Sequence, residues 1–154
     1  MDEFISLMMK GAIERELLSS EKYSILASRA KNNLLKGLFS KLSSEEMEHA
    51  RLLGLMDMDA LKIQNSESFR KLGALQGVTR KSVSDEEMND INFALDSAIA
   101  DEERDFQIYS MMQKTNPQSG LFKELALQEL RHKTSLQRLK LEFNENDWTA
   151  ISRS

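Results

Sequence analysis

Apolar residues recur along this chain at steps of three and four, the spacing that lines one face of an α-helix. Four such stripes can be followed. The first, over about residues 3–31, carries Ile5, Met9, Ala12, then Tyr23, Ala27 and Ala30. The second, over about 34–57, carries Leu35, Leu38, Leu42, then Leu53 and Met56. The third, over about 85–113, carries Ile91, Leu95, Ala98, then Tyr109 and Met112, and opens on Ser84-Asp85-Glu86-Glu87, a capping box with Ser84 as cap. The fourth, over about 119–143, carries Phe122, Leu125, then Leu136, Leu139 and Phe143, and Asn116-Pro117 parts it from the third. A single proline and six glycines leave these stretches long and unbroken.

The connections predict the architecture. Helices one and two, and helices three and four, are joined by short segments and should be antiparallel neighbours. Between helices two and three lie residues 58–84, with Gly73 and Gly77 among them and a short helix expected over 68–75. An up-down-up-down bundle has no use for so long a link. A bundle with one long crossover does, so the expected fold is all-α, a ferritin-like four-helix bundle with the crossover between helices two and three. Residues 1–144 form that bundle in this reading, and 145–154 a polar tail containing Trp148.

Each stripe has a gap filled by an ionisable residue: Glu16 in helix one, Glu46 and His49 in helix two, Glu102 in helix three, Glu129 and His132 in helix four. The two halves of the chain repeat each other. Residues 38–53 align without gaps on 121–136, placing Leu42 on Leu125, Glu46 on Glu129 and His49 on His132. Helix one aligns on helix three with Glu16 on Glu102 and Tyr23 on Tyr109. Both halves read Glu-x6-Tyr, then Glu-x-x-His. Other charges do not repeat: Glu45 meets Gln128, Glu48 meets Arg131 and Glu14 meets Ala100, as on a solvated face.

Residues at i and i+3 share one helical face, so the Glu and the His of each Glu-x-x-His can reach one metal ion at a bundle axis. One Glu from each remaining helix completes a carboxylate-bridged dinuclear set of Glu16, Glu46, His49, Glu102, Glu129 and His132. Oxygen and imidazole donors suit iron or manganese, with zinc as a further substitute. Four carboxylates neutralise two divalent ions. Without metal, four neighbouring carboxylates in a core would cost several kcal/mol each or would take up protons. A lone Glu-x-x-His is usually a surface ion pair. Here the chain's only two histidines both follow a Glu by three residues, at matching repeat positions.

Composition narrows the rest. Hydrophobic residues make up 40 % and charged residues 30 %, the proportions of a globular domain. A net charge of −4 without a basic run argues against a nucleic-acid partner. The absence of cysteine excludes disulfides, zinc-thiolate and iron–sulfur centres within these residues. No apolar run approaches the roughly 18 residues of a membrane span. The acidic start Met1-Asp2-Glu3-Phe4 is unlike a signal peptide, so the expected compartment is the cytoplasm. Around the ligand set, Tyr23 and Tyr109 are candidate hydrogen-bond partners of the ligating carboxylates. Asp105, one turn beyond Glu102, is read as a supporting or solvated group, with a seventh ligand as the alternative. Glu103 faces away from the Tyr109 stripe and is left out.

Over roughly residues 3–143 the pattern resembles the rubrerythrin-like branch of the ferritin-like superfamily. Glu16-x6-Tyr23, Glu46-x-x-His49-Ala50, Glu102-x6-Tyr109 and Glu129-x-x-His132 match that family's ligand motifs position by position. The resemblance implies two iron ions, a homodimer or larger assembly, and a role in oxidative stress through reaction with hydrogen peroxide or dioxygen. It departs from the family in two places. There is no cysteine-bearing rubredoxin domain, so electrons are expected from a separate protein such as a rubredoxin. The family's additional third-helix Glu has the shorter Asp105 as its nearest counterpart. A ferritin-like iron-binding or ferroxidase protein is the alternative reading.

Overall fold

The computed structural model describes residues 3–30, 32–61 and 91–142, the side chains of 57–61 excepted. They form four helices: α1 (Glu3–Arg29), α2 (Asn33–Leu61), α3 (Ile91–Thr115) and α4 (Gly120–Glu142). The Ser84 capping box, most of the 58–84 link with its expected short helix, Phe143 and the 145–154 tail with Trp148 lie outside the described residues.

The chain divides into two compact units, one containing α1 and α2, the other α3 and α4. In the first, α1 packs along α2. Ser20 contacts Ser43 and Glu16 contacts His49, so residue numbers fall on one helix as they rise on the other. The pair is antiparallel, as its short connection predicts. Asn32 begins α2: its Oδ1 accepts from the backbone N–H of Leu34 at 2.8 Å and of Leu35 at 3.3 Å. Those two amides at a helix start have no carbonyl to bond within the helix, and the Asn side chain supplies one.

The second unit repeats the design with different turn chemistry. Asp96 contacts Lys140 and Glu103 contacts Lys133, again antiparallel. At the end of α3, Asn116 donates its backbone N–H to the Met112 carbonyl at 2.9 Å. Pro117 lacks an N–H and pushes the residue before it out of helical geometry, so the helix ends there. The Ser119 N–H then reaches the Asn116 carbonyl at 3.0 Å, closing a turn with Pro117 in its second place.

Each unit buries most of the stripe the periodicity predicts, with Met56 and Ile91 half-buried at its ends. Ile5, Met9, Ala12, Tyr23 and Ala27 are buried on α1 and Ala30 just after it, as are Leu35, Leu42 and Leu53 on α2. In the second unit Leu95, Ala98, Tyr109 and Met112 are buried on α3, and Phe122, Leu125, Leu136 and Leu139 on α4. The register differs early in α2. Leu38 is only half-buried, and Phe39, four residues after Leu35, is fully buried instead. The larger ring takes the central place and leaves Leu38 at its edge. Helix ends differ too: α2 continues to Leu61, past the expected 57, because Met58-Asp59-Ala60-Leu61 contains nothing that breaks a helix.

Candidate metal centre

The ionisable residues in the stripes are as buried as the leucines around them. Glu16, Glu46 and Glu129 are 0 % exposed, Glu102 and His49 1 %, and His132 3 %. Helical spacing explains why. Glu16 stands seven residues before Tyr23 and Glu46 seven before Leu53, two turns along stripes that face the packed side of each helix.

In the first unit, α1 contributes Glu16 while α2 contributes Glu46 and His49. One ligand atom of each lies within 4.8 Å of the others. The His49 Nδ1 stands 3.3 Å from Glu16 Oε2 and 3.6 Å from Glu46 Oε1. In the second unit, Glu102 of α3 meets Glu129 and His132 of α4, again with ligand atoms within 4.8 Å. The His132 Nδ1 lies 3.5 Å from Glu102 Oε2. The same ring nitrogen turns to the carboxylates in both halves. The structure thus builds two Glu-Glu-His triads from the six residues singled out by the sequence repeat.

These separations fit metal ligation. Two donor atoms about 2.1 Å from one ion stand roughly 3.0–3.4 Å apart at octahedral to tetrahedral angles. The observed 3.3 to 3.6 Å is close to that range. Charge fits as well, since two carboxylates and a neutral imidazole balance one divalent cation in each triad. Each buried triad could hold a metal ion. The donor set, oxygen and nitrogen without sulfur, suits first-row ions such as iron, manganese or zinc.

The neighbours of the ligands in sequence behave differently. Glu48, beside His49, is exposed, and Arg51 donates to it through Nε at 2.8 Å. That hydrogen bond holds the Glu48 carboxyl below the usual carboxylate range and raises Arg51. Glu103, beside Glu102, accepts from Lys133 at 2.9 Å and from Gln107 at 3.0 Å, and Lys133 foremost holds its carboxyl low. Both carboxylates belong to the outer face, where the lack of repetition between halves had placed Glu48.

Tyr23 and Tyr109 are both buried, 2 % and 1 % exposed. Asp105 is also buried, which removes the solvated reading of it. Its Oδ1 lies 3.5 Å from Nε of Arg104, whose Nη1 is 3.3 Å from Asp101. A pair missed in the sequence is Ser20 and Ser43, which hydrogen-bond reciprocally between α1 and α2. The available signal was position: Ser20 is one turn after Glu16, and Ser43 three residues before Glu46.

No described helix is long and apolar enough to cross a membrane. Compared with protein-family models, with curated proteins and with solved structures, the chain matches none.

Proposed function

We propose that the two helical pairs assemble into a ferritin-like four-helix bundle, joined by the long link between them, and that their triads face one another as a single di-iron site. The protein is then a rubrerythrin-like oxidoreductase that reduces hydrogen peroxide, or dioxygen, with electrons from a redox protein outside these residues. The observation that carries it is the doubling: two buried Glu-Glu-His triads at repeat-equivalent positions. A bundle needing only an apolar core has no reason to accept four carboxylates there.

When bound, a pair of ferrous ions would supply two electrons and Lewis acidity for the reduction of peroxide to two waters, with two protons taken up. The chain's own residues do the rest. Glu16, Glu46 and His49 hold one ion, and Glu102, Glu129 and His132 the other. The four carboxylates offset the charge of the reduced pair. The leucines and phenylalanines of the stripes keep bulk water from the ligands, which strengthens each charge interaction. Tyr23 and Tyr109 serve as hydrogen-bond partners for ligating carboxylates from within the core. The same family resemblance implies a homodimer, and the cytoplasm is the compartment expected for it.

The test is turnover. Iron-loaded protein mixed anaerobically with hydrogen peroxide and a continuing supply of reductant should consume many equivalents of peroxide per site. Consumption that stops after about one equivalent, with iron accumulating beyond the two ions of a dinuclear site, would replace this reading with an iron-handling protein.

A further inference from the structure

The two triads repeat, but what ties their helices together does not. In the first unit the Ser20 hydroxyl donates to the Ser43 carbonyl at 2.9 Å, and the Ser43 hydroxyl donates to the Ser20 carbonyl at 2.8 Å. The two oxygens are 3.1 Å apart. Each hydroxyl has one proton, and the two carbonyls take both in this arrangement. Ser20 is 3 % exposed. The short side chains let α1 and α2 approach closely enough for a hydroxyl on each to reach the other's backbone.

The repeat puts Phe106 and Ala126 at the corresponding places of the second unit, and neither can donate. There, besides the His132–Glu102 approach that matches His49–Glu16, α3 and α4 are tied by the ion pairs Glu103 with Lys133 and Asp96 with Lys140, with side chains 24 % to 60 % exposed. Exposed pairs contribute little and are screened by salt. The positions matching Glu103 and Lys133 in the first unit are Leu17 and Ala50, which carry no charge. One half thus carries a part-buried reciprocal hydrogen bond where the other carries ion pairs nearer its surface.

We infer that the Ser20–Ser43 clamp is a positioning device for the first triad, so that metal fills the Glu16–Glu46–His49 side first and more tightly, with an affinity less sensitive to salt. The clamp sits one turn from Glu16 and three residues from Glu46, and it fixes the register of α1 against α2. Register sets the distance between Glu16 and the α2 ligands. A triad held at ligand spacing before the ion arrives loses less on binding than one that must be drawn together. The inference rests on the metal reading above.

The experiment is a calorimetric titration with Mn(II) under nitrogen. His132→Ala leaves the first triad intact and His49→Ala leaves the second, and each is measured with and without Ser20→Ala/Ser43→Ala. The clamp substitution should weaken Mn(II) binding by a factor of roughly three to ten with the first triad alone. With the second triad alone it should change affinity less than about twofold, within ordinary hydrogen-bond scatter. Raising salt should weaken the second triad more than the first. Equal losses in both backgrounds, or no loss in the first, would overturn the inference while leaving the metal reading standing. Wild-type protein that takes up no Mn(II), Fe(II) or Zn(II) would overturn both. Should the double substitution fail to fold by circular dichroism, Ser43→Ala alone removes one donor and should give a smaller loss confined to the same triad.

Discussion

At the scale of single residues, Glu-x-x-His matters here because of where the helix points it. Glu46 and His49 are buried, while Glu48 between them is exposed and paired with Arg51. One chemical type, the carboxylate, thus has opposite roles two residues apart. Glu16→Ala and Glu102→Ala should each weaken metal uptake to a broadly similar degree, because each leaves its triad one negative charge short. Glu16→Gln and Glu102→Gln keep the shape and report the electrostatic part. Equilibrium dialysis against Fe(II) or Mn(II) reads both, and retention of wild-type metal content in either alanine variant would remove that residue from the ligand set. Glu48→Ala is the control and should change neither metal content nor thermal stability appreciably. For Glu103 the sign of the pH effect is fixed by its lowered carboxyl. The Lys133 partnership is present at neutral pH and is lost as acid protonates Glu103, below the ordinary carboxylate range.

At the scale of elements, two substitutions in α2 should act in opposite directions. Asn32→Ala removes the acceptor for the Leu34 and Leu35 amides and should cost about 1 kcal/mol. Gly37→Ala adds a Cβ that meets nothing within 4 Å in the helix interior, so it should stabilise by roughly 0.5–1 kcal/mol. Urea unfolding measures both, and a destabilised Gly37→Ala variant would show that this helix face is occupied. The elements themselves were largely legible in the sequence, because step-three and step-four spacing survives wherever one face is buried. Phe39 in place of Leu38 was not. Two adjacent large apolar residues fit the stripe equally well on paper, and only packing chooses between them. The helix ends were also indistinct, since residues 58–61 contain good helix formers beyond the last stripe position.

At the scale of the whole molecule, the repeat was the most informative feature. Aligned halves picked out six ionisable residues, and the structure buries those six and gathers them into two triads, with Glu21 and Asp105 buried besides. The Ser20–Ser43 clamp escaped this logic because it is what the halves do not share. A comparison that looks for repetition passes over the hydroxyls of one half, matched by Phe106 and Ala126 in the other. Metal retention should also depend on pH. Carboxylate and imidazole bind only when deprotonated, so acid should release the ions, at a pH below the roughly 6.5 of free imidazole because bound metal competes with the proton. Metal content followed from about pH 7 to pH 4 should fall, and a flat profile would contradict Glu/His ligation.

Whether the two triads hold metal is tested most simply by the metal content, by inductively coupled plasma mass spectrometry, of the wild-type chain beside His49→Ala and His132→Ala after loading with Fe(II) under nitrogen. The apolar stripes are untouched by either change, so both variants should fold. About two ions per chain are expected in the wild type, the number a paired carboxylate–histidine site holds. Each histidine variant should retain roughly one, since the other triad still offers two carboxylates and an imidazole to a divalent ion. Wild-type metal content in both histidine variants, or no metal in any of the three proteins, would contradict metal ligation by the triads.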